Sequence, residues 1–306
     1  PEKAKYRIMS ICAKDQDGKE FEFCDNDERK MVKQFLDLVY KYHIISGWNS
    51  SRFDVPYLLN RCSMWLDILV DEFQIVGIDL LPLYRFVTLV EKESFSLDSI
   101  AKVEEVGGKT LSMDHGDVGI LARLFREDRR KLLDYNMNDV RMAWSIEKKY
   151  SLINILFALC QNCHTFPTDH FYHDEYGIPR MTAFPAVETK CIMMANRKGI
   201  RVPTKHEQPK PEYEGGMVMT PTKLGVVENV AALDFKSLYP NIMRAWNIGP
   251  DTYLDDKDGP IKAPLGSFRN DTTSYIVDAI NELMHMKDEM SEQKKKAVKG
   301  SFEHKA

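Results

Sequence analysis

The first sixty residues change hydrophobic period twice, and that switch limits the fold more than any other feature of the chain. Tyr6, Ile8 and Ser10 alternate with Arg7 and Met9 ahead of Ile11-Cys12-Ala13, the two-residue period of a strand. Asp17-Gly18 supplies a turn, and Phe21 and Phe23 then alternate with Glu20 and Glu22, which closes a hairpin. The period then lengthens. Asp25 and Glu28 have the spacing of a capping box, and Val32, Phe35, Leu36 and Val39 fall on one helical face. His43-Ile44-Ile45-Ser46-Gly47-Trp48 is a short apolar run suited to a buried strand, with acidic Asp54 just past it. Hairpin, helix, strand and acid in that order predict a mixed α/β (α+β) fold with a carboxylate near a strand end.

The remainder is less regular. Ile75–Leu83 reads as a strand interrupted by Asp79, Gly107-Gly108 as a loop, and Val118–Phe125 and Leu132–Tyr150 as helices. From Ser151 to Pro211 the pattern is mixed, and Pro203, Pro209 and Pro211 mark a linker. Met217–Thr220 and Val226–Asp234 read as strands, and Leu254–Phe268 as a polar loop. From Ser274 an amphipathic helix carries Ile276, Ile280, Leu283 and Met290, and its closing Lys294-Lys295-Lys296 suits a helix C-terminus. The 306 residues leave room for two or more domains, and 43% apolar with 29% charged residues excludes a disordered chain. No apolar run approaches the ~20 residues that cross a bilayer, and no signal-peptide core opens the chain. The first residue is Pro1, from which a start inside a longer reading frame is expected. Six cysteines are too sparse for a disulfide framework. A net charge of −4 does not advertise a nucleic-acid binder, but a local basic groove beside a carboxylate site is compatible with it.

Four constellations carry chemistry. Val230-Ala231-Ala232-Leu233 delivers Asp234 at a strand end, followed by Phe235-Lys236-Ser237-Leu238-Tyr239-Pro240-Asn241-Ile242. A carboxylate beside exposed backbone amides can hold Mg²⁺ while the amides hold a triphosphate; the plainer alternative is Asp234 as a helix N-cap. Asn49-Ser50-Ser51-Arg52-Phe53-Asp54 precedes Pro56-Tyr57-Leu58, and here too Ser51 or Asp54 could be only a cap. Tyr135 and Asp139 lie four residues apart, so both face one side of a helix, as a metal-water site or as an ordinary solvated pair. Tyr213-Glu214-Gly215-Gly216 has bare glycine backbone that phosphates can approach, or is simply a turn.

In order and spacing these four segments resemble the motifs of family B DNA polymerases, closest to the phage and archaeal branch. Asp234–Ile242 resembles their motif A, Asp-x-x-Ser-Leu-Tyr-Pro-Ser-Ile, with Asn241 in place of serine. Met243 stands where isoleucine is usual. The resemblance implies that Asp234 and the Phe235 carbonyl hold a catalytic metal. It implies that Ser237 and Leu238 meet the incoming triphosphate, and that Tyr239 lies under the sugar. Asn49, Phe53 and Asp54 match the second exonuclease motif, in which Asp54 would bind metal while Asn49 and Phe53 meet the frayed primer end. Tyr135 and Asp139 match the third, Tyr135 orienting the attacking water and Asp139 holding metal. Tyr213, Gly215 and Gly216 match a template-contacting segment, and Lys287 falls near a triphosphate-binding arginine of the first fingers helix. Lys can act there only as a point charge.

The implied architecture is an RNase H-like 3′–5′ exonuclease domain over 1–150 lacking its first strand, a connecting segment over 151–210, a partial palm over 211–265 and the start of the fingers over 266–306. The family's first exonuclease motif, its later fingers motif and its second catalytic aspartate are not in the sequence, so each metal site is expected to lack a carboxylate. The implied activity is templated nucleotidyl transfer with proofreading hydrolysis, using Mg²⁺ at two-metal sites. The implied partners are primer-template DNA, dNTP, a C-terminal polymerase fragment and a sliding clamp, without a membrane, in the cytoplasm or as a viral protein in a host's cytoplasm. A stand-alone exonuclease and a non-catalytic DNA-binding or assembly subunit are the rival readings. Cys160-Gln161-Asn162-Cys163-His164, with His170 and His173 following, also spells a haem-attachment or zinc pattern; cysteines at the end of the apolar run Ile153–Leu159 are the plainer explanation.

Overall fold

A computed structural model describes residues 3–71, 74, 76–89, 92–108, 118–204, 215–222, 225–264 and 266–296. The hairpin forms as the alternation requires: β1 (Ile11–Lys14) pairs antiparallel with β2 (Glu20–Phe23). Helix α1 follows at Glu28–Val39, but its N-cap is Asp27, which accepts from the Lys30 amide. Asp25 instead accepts from the Asp27 amide at 3.0 Å, so the cap is built two residues later than the sequence spacing suggests. Glu28 is thereby freed for a different partner. It forms a 2.7 Å ion pair with Arg61, both side chains about nine-tenths shielded.

β3 (Ile44–Gly47) runs parallel to β4 (Val76–Asp79). The expected strand over 75–83 stops at Asp79 because Asp79 caps a helix, α3 (Leu80–Thr88), accepting from the Leu81 amide. Between these strands lie α2 (Asp54–Arg61) and a π-helical turn, Cys62–Leu66. Helices α4 (Leu97–Val103), α5 (Val118–Glu127) and α6 (Arg129–Tyr150) follow, α4 and α6 capped by Ser96 and Asp128. The mixed stretch after Ser151 resolves into α7 (Leu152–Cys163), the hairpin of β5 (Phe171–His173) and β6 (Pro179–Met181), and α8 (Phe184–Arg197).

One compact unit is built on the chain up to Ala186, and a second runs Val187–Glu292. The main core of the first joins Ile78, Leu83 and Tyr84 to Ile100, Ile146 and Leu156. A smaller core places Met31, Val32 and Leu36 against Cys62 and the half-buried Ile11, Phe23 and Leu58. The second unit contains α9 (Leu238–Ala245), the sheet β7 (Tyr253–Leu254), β9 (Gly266–Phe268), β8 (Ile261–Ala263) in that order, and α10 (Tyr275–Lys296). Its core is small: Met194 and Ala195 pack on Tyr275 and Ala279.

Two expectations fail in this unit. Met217–Thr220 and Val226–Asp234 are not strands; they are irregular and exposed, with Asn229 at φ 58 and Val226 and Leu233 99% and 97% exposed. Their apolar sequence is right for a strand, but a strand exists only with a hydrogen-bonding partner, and no described strand pairs with them. Conversely, the polar stretch 254–268 forms most of the three-stranded sheet. Its register, Ile261 opposite Phe268 and Tyr253 opposite Phe268, is set by a few apolar residues too sparse to show a period.

Candidate functional site

The site in the first unit is assembled around the end of the β3–β4 pair. Gly47, the last residue of β3, turns into Trp48-Asn49, where a Cβ would come within 2.8 Å of the Ser50 side chain. Asn49 adopts φ 58, a left-handed conformation that Asn tolerates better than most residues. Asp79, across the parallel pair, clamps this loop. It accepts from the Asn49 amide at 2.9 Å, the Ser51 amide at 3.1 Å and the Ser51 hydroxyl at 2.6 Å, besides capping α3. The loop then delivers Phe53, half-exposed and stacked on Tyr57 at 5.5 Å, and Asp54 as the first residue of α2.

Helix α6 carries the other two candidate residues, Tyr135 and Asp139. It is fixed to the β1–β2 hairpin by Asn136, which donates to the Ser10 carbonyl and hydroxyl, by Trp144 Nε1 donating to the Asp15 carbonyl, and by Arg130 and Arg141, which fork onto Glu22 and Glu20. Tyr135 and Asp139 are half-buried on it, and the four-residue spacing places them on one face. Asp54 keeps part of its surface open to solvent, yet its carboxyl is pushed above the usual carboxylate range. Burial of the carboxylate is the main cause, and the charges of Asp79 and Asp139 add to it. The charge of Asp139, distant in sequence, is the smallest of these contributions.

Among the described residues, no group of three or more Asp, Glu, His or Cys side chains is arranged to hold a metal. The oxygen atoms of Asp79 are committed to amides and a hydroxyl; Asp54 and Asp139 are the carboxylates that the sequence motifs single out. Carboxylate oxygens are hard donors of the kind a divalent ion such as Mg²⁺ takes. Asp79 is the residue that sequence reading took for a flaw in a strand. The signal that could have found it is an acid immediately before an apolar helical run, Leu80–Tyr84, the signature of an N-cap.

In the second unit, Asp234 ends the exposed irregular segment, and Ser237, with φ 52, turns the chain into α9. Phe235 and Tyr239 are 76% and 78% exposed, and Leu238 is partly so. Lys236 reaches Asp288 of α10 at 3.8 Å, and Arg244 of α9 approaches Met284 Sδ at 3.7 Å. These contacts bring the exposed Lys287 to the neighbourhood of the turn. Gly215 and Gly216 are exposed, with no atom near enough to meet an added Cβ. Tyr213 lies outside the described residues.

Two family models match the chain: that for the family B DNA polymerase exonuclease domain over residues 2–74 and that for family B DNA polymerase over residues 183–298. The chain belongs to the family B DNA polymerases. It is 29% identical over its whole length to a DNA polymerase of Archaeoglobus fulgidus, of which it covers 39%. It is 25% identical, over 74% of its length, to the DNA-directed DNA polymerase of Enterobacteria phage T4, of which it covers 26%. Its fold superposes with a TM-score of 0.72, at 26% identity, on the structure of the family B DNA polymerase from Pyrobaculum calidifontis, spanning 99% of this chain and 42% of that one. The chain therefore spans less than half the length of these relatives.

For a family B polymerase chain, the mixed helix and strand architecture is the expected RNase H-like one. Its described strands, however, form three two-stranded sheets and one three-stranded sheet rather than one continuous sheet. The Cys-x-x-Cys-His pattern has a structural explanation: Cys160 and Cys163 are buried at the end of α7, while His164 is the exposed left-handed cap that terminates it. Buried His170 is held by the Thr165 hydroxyl at 2.8 Å and the Thr182 carbonyl at 2.9 Å.

Proposed function

We propose that the chain contributes two sites to a replicative DNA-directed DNA polymerase. The first is a hydrolytic 3′–5′ proofreading site at Asp54, Tyr135 and Asp139. The second is part of a nucleotidyl-transfer site at Asp234–Tyr239. What supports the first is that Asp54 opens α2 beside the loop clamped by Asp79, that Tyr135 and Asp139 share one face of α6, and that the charge of Asp139 contributes to raising the Asp54 carboxyl. Asp54 and Asp139 would hold Mg²⁺, which when bound acidifies a coordinated water and offsets charge on the phosphate. Tyr135, on the face of Asp139, orients that water through its hydroxyl. Asn49 and Phe53 receive the strand end: the open Phe53 ring, already stacked on Tyr57, offers a platform for a base.

In the second site Asp234 and the Phe235 carbonyl would hold the ion. The amides at Ser237 and Leu238, at the opening of α9, would accept a triphosphate, the exposed Tyr239 ring the sugar, and Lys287 a phosphate as a point charge. Gly215, Gly216 and Tyr213 would face primer-template DNA. The domain division follows the same reading, with the exonuclease over 1–150, a connection over 151–210, palm over 211–265 and fingers from 266.

The test uses the 306-residue chain, in which a lacking carboxylate implies weak hydrolysis, at high enzyme concentration with Mg²⁺ and a 3′-labelled single-stranded oligonucleotide; no release above background would count against the reading. Label release that disappears in both Asp54→Ala and Asp139→Ala supports the hydrolytic reading, and release retained by either variant sinks it. The open, unpaired segment ending at Asp234 favours a second reading, in which this chain binds DNA within an assembly and catalyses nothing. Unchanged DNA affinity in Asp54→Ala and Asp234→Ala, without turnover when other polymerase chains are added, would decide for it.

A further inference from the structure

Residues 3–8 belong to no helix or strand, yet side chains around them fasten their backbone. Trp65 Nε1 donates to the Lys3 carbonyl at 3.1 Å, and Arg61 donates to the Ala4 and Lys5 carbonyls at 3.1 and 3.2 Å. The Ile8 amide donates to Glu28 of α1 at 2.7 Å. Between these anchors Tyr57 of α2 meets Tyr6 twice: its hydroxyl donates to the Tyr6 carbonyl at 2.6 Å and accepts from the Tyr6 amide at 3.1 Å. We propose that Tyr57 is a positioning residue for a single DNA strand, holding the Phe53 ring in the plane that receives a base. The inference rests on the reading of Phe53 as that platform and adds what fixes it.

Phe53 is 52% exposed, and a ring so open to water can turn between rotamers. Tyr57 restricts it from one side: the centroids are 5.5 Å apart and the planes 25° from parallel, a stacked pair rather than an edge-on one. The restriction depends on Tyr57 itself being fixed. A hydroxyl that both donates to and accepts from the backbone of one residue has its place and its direction set. That backbone is held in turn. Arg61 grips it on one side while pairing with Glu28 at 2.7 Å, and Glu28 grips it on the other through the Ile8 amide. Tyr57 and Arg61, four residues apart, rise from one face of α2, so tether and grip move as one body. A ring ordered beforehand loses less freedom when a base settles on it, and base stacking on aromatic side chains is tolerant of sequence. The two parts of Tyr57 are chemically separable: the ring stacks and the oxygen tethers. Tyr57 meets neither an ion nor the reacting atoms in this reading, so its effect passes through Phe53.

The test is a double-mutant cycle on the affinity of the full chain for a 5′-fluorescent single-stranded oligonucleotide. Binding is read by anisotropy in EDTA, where no divalent ion supports hydrolysis. Phe53→Ala should weaken binding by about tenfold or more, the loss of one stacked base. Tyr57→Phe keeps the ring and removes one oxygen atom. It should weaken binding by about fivefold, the size of one lost hydrogen bond, with wild-type circular dichroism. In the Phe53→Ala background the same change should cost less than about twofold, because a residue acting through Phe53 has nothing left to act on. With Mg²⁺, Tyr57→Phe should raise KM for 3′-end release and leave kcat unchanged, the mark of lost binding alone. Coupling in the cycle without any release that depends on Asp54 fells the hydrolytic reading and leaves the positioning role standing. Release that depends on Asp54, with no effect of Tyr57→Phe on binding, does the reverse. Equal losses from Tyr57→Phe in the two backgrounds, a fall in kcat at unchanged KM, no weakening by Phe53→Ala, or no binding by the wild-type chain overturns the proposal.

Discussion

Asp79 accepts from two amides and a hydroxyl of the Asn49–Ser51 segment while capping α3, so its carboxylate works as a fastener rather than as a reagent. An amide can replace only part of it, because the NH₂ of Asn donates and would face a donor. Asp79→Asn should therefore cost about 1–3 kcal/mol, the usual loss for stranded buried partners, read as a lower urea midpoint. It should also slow 3′-end hydrolysis by misplacing Phe53 and Asp54. A second residue-scale case is Glu104, buried among Lys149, Tyr150, Tyr84 and Lys92. Burial alone would raise its carboxyl, but those donors outweigh burial and bring it down to about 2. A depressed folded value means the unfolded chain takes up the proton first. The stabilisation is thus present above the ordinary Glu range near 4.5 and is lost as pH falls toward about 2. Glu104→Gln should flatten that acid limb of the stability curve, measured by chemical denaturation at stepped pH. Asp54 has the opposite sign. Its raised carboxyl makes folding less favourable as pH rises past the carboxylate range, and added Mg²⁺ should raise the melting midpoint more at neutral pH than in acid.

At the scale of elements, α2 and α6 matter most because each carries half of the proposed hydrolytic pair. The C-terminal end of α2 is held by the Arg61–Glu28 pair, and Arg61 also donates to the Ala4 and Lys5 carbonyls at 3.1 and 3.2 Å. Breaking a buried pair strands a charge, so Glu28→Ala should destabilise the first unit by roughly 3–5 kcal/mol, seen in its thermal midpoint; an unchanged midpoint would show that α2 is held otherwise. Helices α1, α5, α6 and α10 were legible in sequence because their apolar residues repeat on one face, although α6 starts at Arg129, three residues before the expected Leu132, where Asp128 caps it. The hairpin β1–β2 was legible from strict alternation. What escaped was contextual: Asp79 ends a strand only because a helix needs its cap there, and Val226–Asp234 has a strand's composition without a described partner. The site residues were legible only as motifs. Spacing placed Tyr135 and Asp139 on one face, but nothing local in the sequence relates them to Asp54.

Across the molecule, the two units differ in how much they bury. The first holds Tyr84, Ile100, Met137 and Leu156 wholly inside, whereas segment 215–235 exposes Met217, Val218, Val226, Leu233 and Phe235. Exposed, unpaired backbone is where proteases cut first. Brief chymotrypsin treatment should cleave between Met217 and Tyr239 before it touches the first unit, read by mass spectrometry; first cuts within 3–186 would contradict this ranking. The central claim is narrower: Asp54 and Asp139 share one divalent-ion pocket. The most direct measurement is Mn²⁺ titration of chain labelled with ¹³C at aspartate side-chain carbonyls, following paramagnetic broadening by NMR. The carboxyl signals of Asp54 and Asp139 should broaden together at the same low Mn²⁺ concentration, and Asp139→Asn should weaken the effect at Asp54. Broadening of one signal without the other, or an Asp54 response indifferent to Asp139→Asn, would contradict the claim.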